Sequence, residues 1–446
     1  MPDPEPQESV PERASLKKRA LQGTVLTALN HGGQQALRLV GNLILTRLLF
    51  PKAFGLMALV QSFLIGLEMF SDVGIGPSIV HSKHGDDPSY LNTAWTVQVI
   101  RGGLLWMIAA LIAFPAAWFY DEPTLGWMLV AVGGSSFIGG FTSTKLATAD
   151  RNLTLGRLTV IELGCYVVNL AITILLAWWM RSVWSLVIGG LIGTSLKTLA
   201  THVWLPGIKN RFHWDKHALQ ELRSFGQWIV LTTALGYLVI QGDRLVVGRL
   251  LDTRFLGVYT VALTFSLLPT EVIRQASAKV LFPSYSELMR TQPERLYPML
   301  RKSRLLLLGA SWGGCLVMIF GGALLINVLY DNRYADAGWM LPLMSVGTLG
   351  MALTLSYDGV LLATGNTHYM ALLLAIQSVI KLSGMLIGFY VGGQEGVIIG
   401  LAAVPWLSFP ADAWCMRKLG YWQPEVDVPL IFAGVLLAVA AYAMVF

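Results

Sequence analysis

Arg47-Leu48-Leu49-Phe50-Pro51-Lys52-Ala53-Phe54-Gly55-Leu56-Met57 returns 202 positions later as Arg249-Leu250-Leu251-Asp252-Thr253-Arg254-Phe255-Leu256-Gly257-Val258-Tyr259. Arg, Leu, Leu and Gly coincide in register. Each copy interrupts two long apolar runs, and each joins the first and second run of a block of six. A common turn recurring by chance is the bland alternative. The matching place in both blocks argues against it.

The composition says where such blocks reside. Of 446 residues, 54% are hydrophobic and 13% charged, and the mean hydropathy is +0.59. Soluble domains carry about 25% charged residues, so a water-soluble domain is excluded. The apolar runs are continuous and about twenty residues or longer, which points to membrane helices and away from the short alternating segments of a barrel. Thirteen candidate spans follow, at 24–49, 54–80, 91–119, 124–144, 158–180, 182–205, 224–249, 255–283, 305–329, 338–364, 369–391, 395–416 and 428–446. The expected class is an all-α polytopic membrane protein. It has a segment 1–23, an N-lobe 24–205 of six helices, a linker 206–223, a C-lobe 224–418 of six helices, and one additional C-terminal helix in 419–446. A six-helix block returns the chain to its starting side. The halves then share a topology, and their symmetry axis runs along the membrane normal, as in parallel repeats.

Basic residues orient the chain. With the N-terminus inside, nineteen Lys and Arg fall in inner segments, and only Lys52, Arg181, Arg254 and Arg333 in outer loops. Residues 1–14 are acidic and Pro-rich, the composition of a disordered tail, and no secretory cleavage pattern is present. Cys165, Cys315 and Cys415 each sit in an apolar run without CxxC or Cys/His clustering, so neither a disulfide framework nor a metal site is expected. The outer loops are at most about eight residues by the span boundaries, which leaves no room for the catalytic loop a membrane glycosyltransferase or polymerase needs. The reading is non-enzymatic, with no cofactor.

Charge inside the spans is the functional signal. Arg38, Arg101, Arg244, Arg274 and Lys381 lie deep, and a charge at the bilayer centre costs about 2.5–3.5 kcal/mol even on insertion scales. Arg47, Arg249 and Lys279 are close enough to span ends to snorkel. His31, Gln35, Arg38 and Asn42 share one helix face, as do Gln61, Glu68 and Asp72; Tyr237, Gln241 and Arg244 follow in the seventh span, and Glu271, Arg274 and Gln275 in the eighth. Packing ion pairs of Arg38 or Arg274 with Glu68 or Glu271 are the structural alternative, and Asp243 beside Arg244 reads as a local pair. Lys381 has no neighbour of opposite charge within its own helix. Gly189/Gly193, Gly384/Gly388 and Gly396/Gly400 read as helix packing. Together the stripes describe a hydrated, net-basic cavity suited to an anion, and Arg forks suit phosphate oxygens. A lipid diphosphate fits. Its sugar-laden head cannot cross hydrocarbon unaided, while its tail can remain in the bilayer.

An ordered series of stretches then carries a resemblance. They are Ser15-Leu16-Lys17-Lys18-Arg19, the Arg47–Pro51 and Phe54–Leu56 stretches, Phe70-Ser71-Asp72-Val73-Gly74-Ile75-Gly76, and Gly242-Asp243-Arg244-Leu245 leading into Gly248-Arg249-Leu250-Leu251. Leu256-Gly257-Val258-Tyr259, Leu281-Phe282-Pro283-Ser284-Tyr285-Ser286 and Tyr330–Ala337 complete it. In these the chain resembles the Wzx-type polysaccharide-biosynthesis flippases of the multidrug/oligosaccharidyl-lipid/polysaccharide (MOP) exporter superfamily. The resemblance implies a V-shaped, MATE-like pair of lobes around a cationic cavity. It further implies alternating access and export of an undecaprenyl-diphosphate-linked oligosaccharide, an O-antigen or exopolysaccharide repeat unit. The thirteen spans depart from the family's usual twelve or fourteen, which leaves open a final helix beyond Phe446.

The expected cargo-binding residues are Arg38, Arg101, Arg244, Arg274, Lys381, Gln35 and Asn42; Glu68, Asp72, Glu271 and Asp358 are the candidates for ion coupling. Expected partners are the lipid-linked oligosaccharide, membrane lipids, a proton or sodium counter-ion and the polysaccharide polymerase and export machinery, with no nucleic acid. The expected location is the bacterial inner membrane. The alternatives are a lipid II flippase, a MATE-type drug/cation antiporter, which favours an acidic cavity, and a membrane glycosyltransferase or polymerase.

Overall fold

The computed structural model describes residue 30 and residues 32–72, 74–152, 155–220, 230–277 and 281–446. The segment 1–23 with its Ser15–Arg19 stretch, His31, Lys279 and positions 221–223 of the linker lie outside the described residues. Among the described residues every regular element is a helix: α1 (32–48), α2 (Pro51–Ser71), α3 (Ile75–His81), α4 (Pro88–Phe119), α5 (Pro123–Gly140), α6 (Lys145–Arg151), α7 (Leu155–Met180), α8 (Trp184–Val203), α9 (Val230–Leu250), α10 (Thr253–Ala276), α11 (Phe282–Thr291), α12 (Leu296–Leu329), α13 (Ala337–Ala363), α14 (Thr367–Leu419) and α15 (Pro424–Val445). Eight of these are long and apolar enough to cross a membrane, or nine if α5 and α6, bent by 60°, form one span.

α14 counts once in that tally but is two helices. Gly392 (φ −138°) and Gly393 (φ 56°, ψ −130°) break it between the expected spans 369–391 and 395–416. Only glycine takes the Gly393 conformation without strain. The halves then lie backbone to backbone: a Cβ on Gly388 would meet Gly396 O at 2.1 Å, and one on Gly400 would meet Gly384 O at 2.2 Å. In the same way a Cβ on Gly189 would meet Thr173 Oγ1 at 2.2 Å. The small-residue spacings are therefore packing devices.

Two expectations need correction. The span 54–80 is not continuous. α2 stops at Ser71, Asp72 Oδ1 accepts from Gly74 N (2.9 Å), and Gly74 turns the chain at φ 66° into the short α3. The stretch 284–304, which the expected spans 255–283 and 305–329 leave as an inner loop, is not a loop either, since α11 and the first two turns of α12 occupy most of it, and Arg304 is 0% exposed.

The chain forms two compact units, Met1–Leu49 with Phe70–Trp228 and Phe50–Met69 with Ile229–Phe446. The units and the six-helix blocks differ at 50–69, and the repeat supplies the reason. A Cβ on Gly55 would sit 1.7 Å from Thr253 O, and one on Gly257 would sit 1.9 Å from Pro51 O. The two copies of the motif thus cross each other inside the second unit, each glycine against the start of the other copy's helix. The copies open their helices differently. Pro51 presets the first turn of α2, whereas Asp252 caps α10, its Oδ1 accepting from Phe255 N (2.5 Å).

In the first unit the early linker is pinned rather than loose. Arg211 N donates to Asn92 Oδ1 (2.9 Å), His213 N to Thr96 Oγ1 (3.0 Å) and Asp215 N to Thr93 Oγ1 (3.1 Å), all on α4. Backbone N–H groups of His217 and Ala218, and then the Ser89 hydroxyl, hold the Asp215 carboxyl below the usual carboxylate range. In the second unit α13 is the hub, 83% buried over its most apolar stretch and packed on α10, α12, α14 and α15.

Candidate functional site

The polar groups of the expected spans gather separately in each unit. In the first, Arg38 is exposed on α1, with Gln35 and Asn42 half-buried on the same face. Beside them runs a chain the sequence reading did not assemble. Gln34 Nε2 donates to Asn30 Oδ1 (2.9 Å), Asn30 Nδ2 to Glu162 Oε2 (2.7 Å), and Lys197 Nζ to Glu162 Oε1 (3.0 Å). The Lys197 side chain is 46% exposed, so the ammonium keeps N–H groups for another acceptor. Arg101 is half-buried, and its Nε donates to Ser71 Oγ (3.0 Å). Gln98 serves structure, donating to the carbonyls of Gly139, Gly140 and Thr142 at the end of α5 (3.1–3.3 Å).

In the second unit the expected lone Lys381 has a partner. Its Nζ donates to Asp243 Oδ1 (2.7 Å) and to the Val239 carbonyl (2.6 Å), and Tyr259 OH donates to Asp243 Oδ2 (2.5 Å). Asp243 therefore pairs across helices with Lys381 rather than only with its neighbour. Arg244, half-buried, donates to Gln241 Oε1, which also accepts from Ser62 Oγ (3.0 Å), and Tyr237 OH closes onto Ser62 O (3.1 Å). Arg244 acts on Asp243 through its field, so two cations bear on one carboxylate and the cluster carries one net positive charge.

The remaining expected residues divide. Arg274 is a fork on Glu271 (2.6 and 2.9 Å), and Gln275 shares that carboxylate, so the packing-pair alternative holds for Arg274 and Glu271 is engaged. Asp72 is committed to its turn at Gly74. Glu68 is exposed on α2. Asp358 is half-buried on α13 and makes no hydrogen bond among the described residues, and Asp412 on α14 is 5% exposed with a buried Oδ2 that has no partner.

A further ionic cluster escaped the sequence reading. Arg304 donates to Asp427 Oδ1 (2.6 Å), Ser356 Oγ (2.8 Å), Tyr357 OH (2.7 Å) and Gln423 Oε1 (3.3 Å), and Tyr357 OH donates to Asp427 Oδ2 (2.6 Å). Both charged side chains are fully buried. The signal was present: Leu300, Arg304, Leu307, Leu308 and Ser311 share the buried face of α12 at helical spacing. The cluster fastens α15 to α12 and α13. The additional C-terminal helix is an integral part of the second unit.

Known proteins share the family and the fold. The family described as "Polysaccharide biosynthesis protein" matches residues 44–338. The amylovoran biosynthesis protein AmsL of Erwinia amylovora is 23% identical over 362 residues, 79% of this chain and 92% of that one. Among solved structures, the lipid II flippase MurJ in an inward closed conformation superposes with a TM-score of 0.69 at 11% identity, covering 94% of this chain and 98% of that one. An inward-facing MATE family multidrug resistance transporter of the MOP superfamily gives 0.67 at 12% identity, over 86% and 95%.

Proposed function

The chain belongs to the polysaccharide biosynthesis protein family, and on that premise we propose that it is a flippase for a lipid-linked oligosaccharide. The cargo is a polyprenyl diphosphate of the undecaprenyl type carrying a repeat unit. It passes from the cytoplasmic to the outer leaflet of the bacterial inner membrane by alternating access, with the chain's N-terminus inside.

The observation that carries this is the surplus of cations at membrane depth. Lys381 and Arg244 stand against the single Asp243, and Arg38 and the half-exposed Lys197 are presented on helix faces of the first unit. Such groups are not left facing lipid. They suit a diphosphate, whose oxygens accept charge-assisted hydrogen bonds from guanidinium and ammonium groups. Gln35, Asn42 and Gln34 suit sugar hydroxyls. Among the expected binding residues Lys381, Arg244, Arg38 and Arg101 remain the strongest, and Arg274 is the weakest because Glu271 already fills its fork. A cationic drug would meet the wrong sign, which disfavours the antiporter reading.

Inside-negative potential assists outward passage of an anion, by about 2.3 kcal/mol per charge per 100 mV across the full field. For ion coupling, Asp358 with Asp412 is the favoured pair, because Asp72 and Glu271 are occupied and Asp412 keeps a buried oxygen without a partner. A proton or sodium ion would satisfy that oxygen.

The test is export of polysaccharide by cells carrying Lys381→Ala or Arg38→Ala. Export is lost while the protein stays at normal level in the membrane; full export in both rejects the assignment. Reconstituted protein offered lipid II beside a repeat-unit lipid separates the flippase readings. Transport indifferent to proton and sodium gradients rejects coupling at Asp358.

A further inference from the structure

Lys381 is held in a way that spends only part of its capacity. An ammonium has three N–H donors. Two are used, on Asp243 Oδ1 (2.7 Å) and Val239 O (2.6 Å), and the side chain remains 13% exposed. Asp243 accepts from Tyr259 OH on its other oxygen (2.5 Å) and lies within the field of Arg244. An arriving anion can therefore engage the third N–H of Lys381 first. As it draws the ammonium away, Asp243 keeps a hydrogen bond from Tyr259 and a compensating charge from Arg244.

We propose that Asp243 is a release residue for the cargo phosphate. It competes with the diphosphate for Lys381, weakens cargo binding, and reclaims the ammonium when the cargo departs. Tyr259 is a positioning residue that keeps the carboxylate in place while Lys381 is away. The inference rests on the reading that the cargo carries a diphosphate. A carrier that binds an anion too tightly is slow, because binding energy spent equally on both faces of the membrane does not speed passage.

The experiment uses the full chain in detergent with farnesyl diphosphate as probe and farnesol as control, and the same variants in proteoliposomes flipping a fluorescent prenyl diphosphate. Asp243→Asn removes the competing charge and keeps the shape. The expected result is binding about tenfold tighter and flipping about tenfold slower, the size of one charge-assisted hydrogen bond. Tyr259→Phe, which takes a hydrogen bond from the carboxylate that must stand without Lys381, weakens binding by a few-fold and slows flipping; unchanged or tighter binding in this variant overturns the inference. The exchanged pair, Asp243→Lys with Lys381→Asp, restores neither. Unchanged or weaker binding in Asp243→Asn overturns the inference while the flippase reading stands, provided wild type binds the diphosphate and ignores farnesol. Wild type that ignores the diphosphate overturns both. Recovery of wild-type flipping by the exchanged pair shows a purely structural salt bridge and overturns the inference. Should Asp243→Asn fail to fold, Tyr259→Phe, which alters no charge, decides alone.

Discussion

Arg304–Asp427 and Lys381–Asp243 each bury a carboxylate against a cation in the second unit, and a tyrosine hydroxyl braces each carboxylate. Arg304 and Asp427 are both 0% exposed, and the guanidinium meets four acceptors from α13 and the start of α15. At 0% exposure neither side chain can be reached by a visitor. Lys381 is 13% exposed, retains a donor, and shares its acid with Arg244. The first pair fastens helices. The second holds a charge in reserve. The two pairs differ in access and in surplus charge: Arg304 and Asp427 neutralise each other out of reach of solvent, whereas Lys381 is partly exposed and a second cation stands beside its acid.

The largest expected effect breaks the fully buried pair. Asp427→Ala strands a buried guanidinium, a loss of about 3–5 kcal/mol, and the melting temperature of the purified protein should collapse with its membrane level. Replacing both partners, Arg304→Met with Asp427→Leu, should recover most of that, because an apolar pair of similar volume is often as stable. A double variant no better than the single would show that the pair does more than fasten.

Next comes the reserve pair. Lys381→Ala should remove export while shifting the melting temperature by only a few degrees, since Arg244 still faces Asp243. Unfolding on the scale of Asp427→Ala would place Lys381 with the structural pairs. Smaller again is Lys197→Ala in the first unit. Its bridge to Glu162 is half-exposed and contributes about 0–1 kcal/mol to stability, so stability holds while flipping falls several-fold. Flipping at the wild-type rate would remove Lys197 from the cargo path.

The smallest effect lies in the linker. The Asp215 carboxyl is held below the usual carboxylate range by the His217 and Ala218 N–H groups and by Ser89. Its folded form therefore favours the carboxylate. The stabilisation is present above pH 4 or so, the unfolded carboxylate range, and fades as pH falls through the folded value. Wild type should lose a little more stability than Asp215→Asn between neutral and acid pH, and equal losses would contradict the assignment.

Much of the helical framework was legible because its signals are local. Runs of about twenty apolar residues mark spans, Gly392-Gly393 marks the break in α14, and the Gly55/Gly257 repeat marks two helix starts that the structure brings into contact. The Asp72–Gly74 turn was not, because one turn inside an apolar run barely alters its hydropathy. Arg304 falls one residue short of the expected span 305–329, because the charges of Arg301-Lys302-Ser303-Arg304 lower the hydropathy there, although the leucines around it share its face. Lys381 and Asp243 are 138 positions apart, and the register that joins two helices is written in neither.

The proposed role of Lys381 and its neighbouring cations is to hold a phosphorylated lipid-linked glycan. Native mass spectrometry of the chain purified from cells making their polysaccharide tests it most directly. The account predicts a bound polyprenyl diphosphate oligosaccharide on the wild-type chain, absent from Lys381→Ala. Retention of the same lipid by Lys381→Ala, or a wild-type chain carrying only phospholipid, would contradict it.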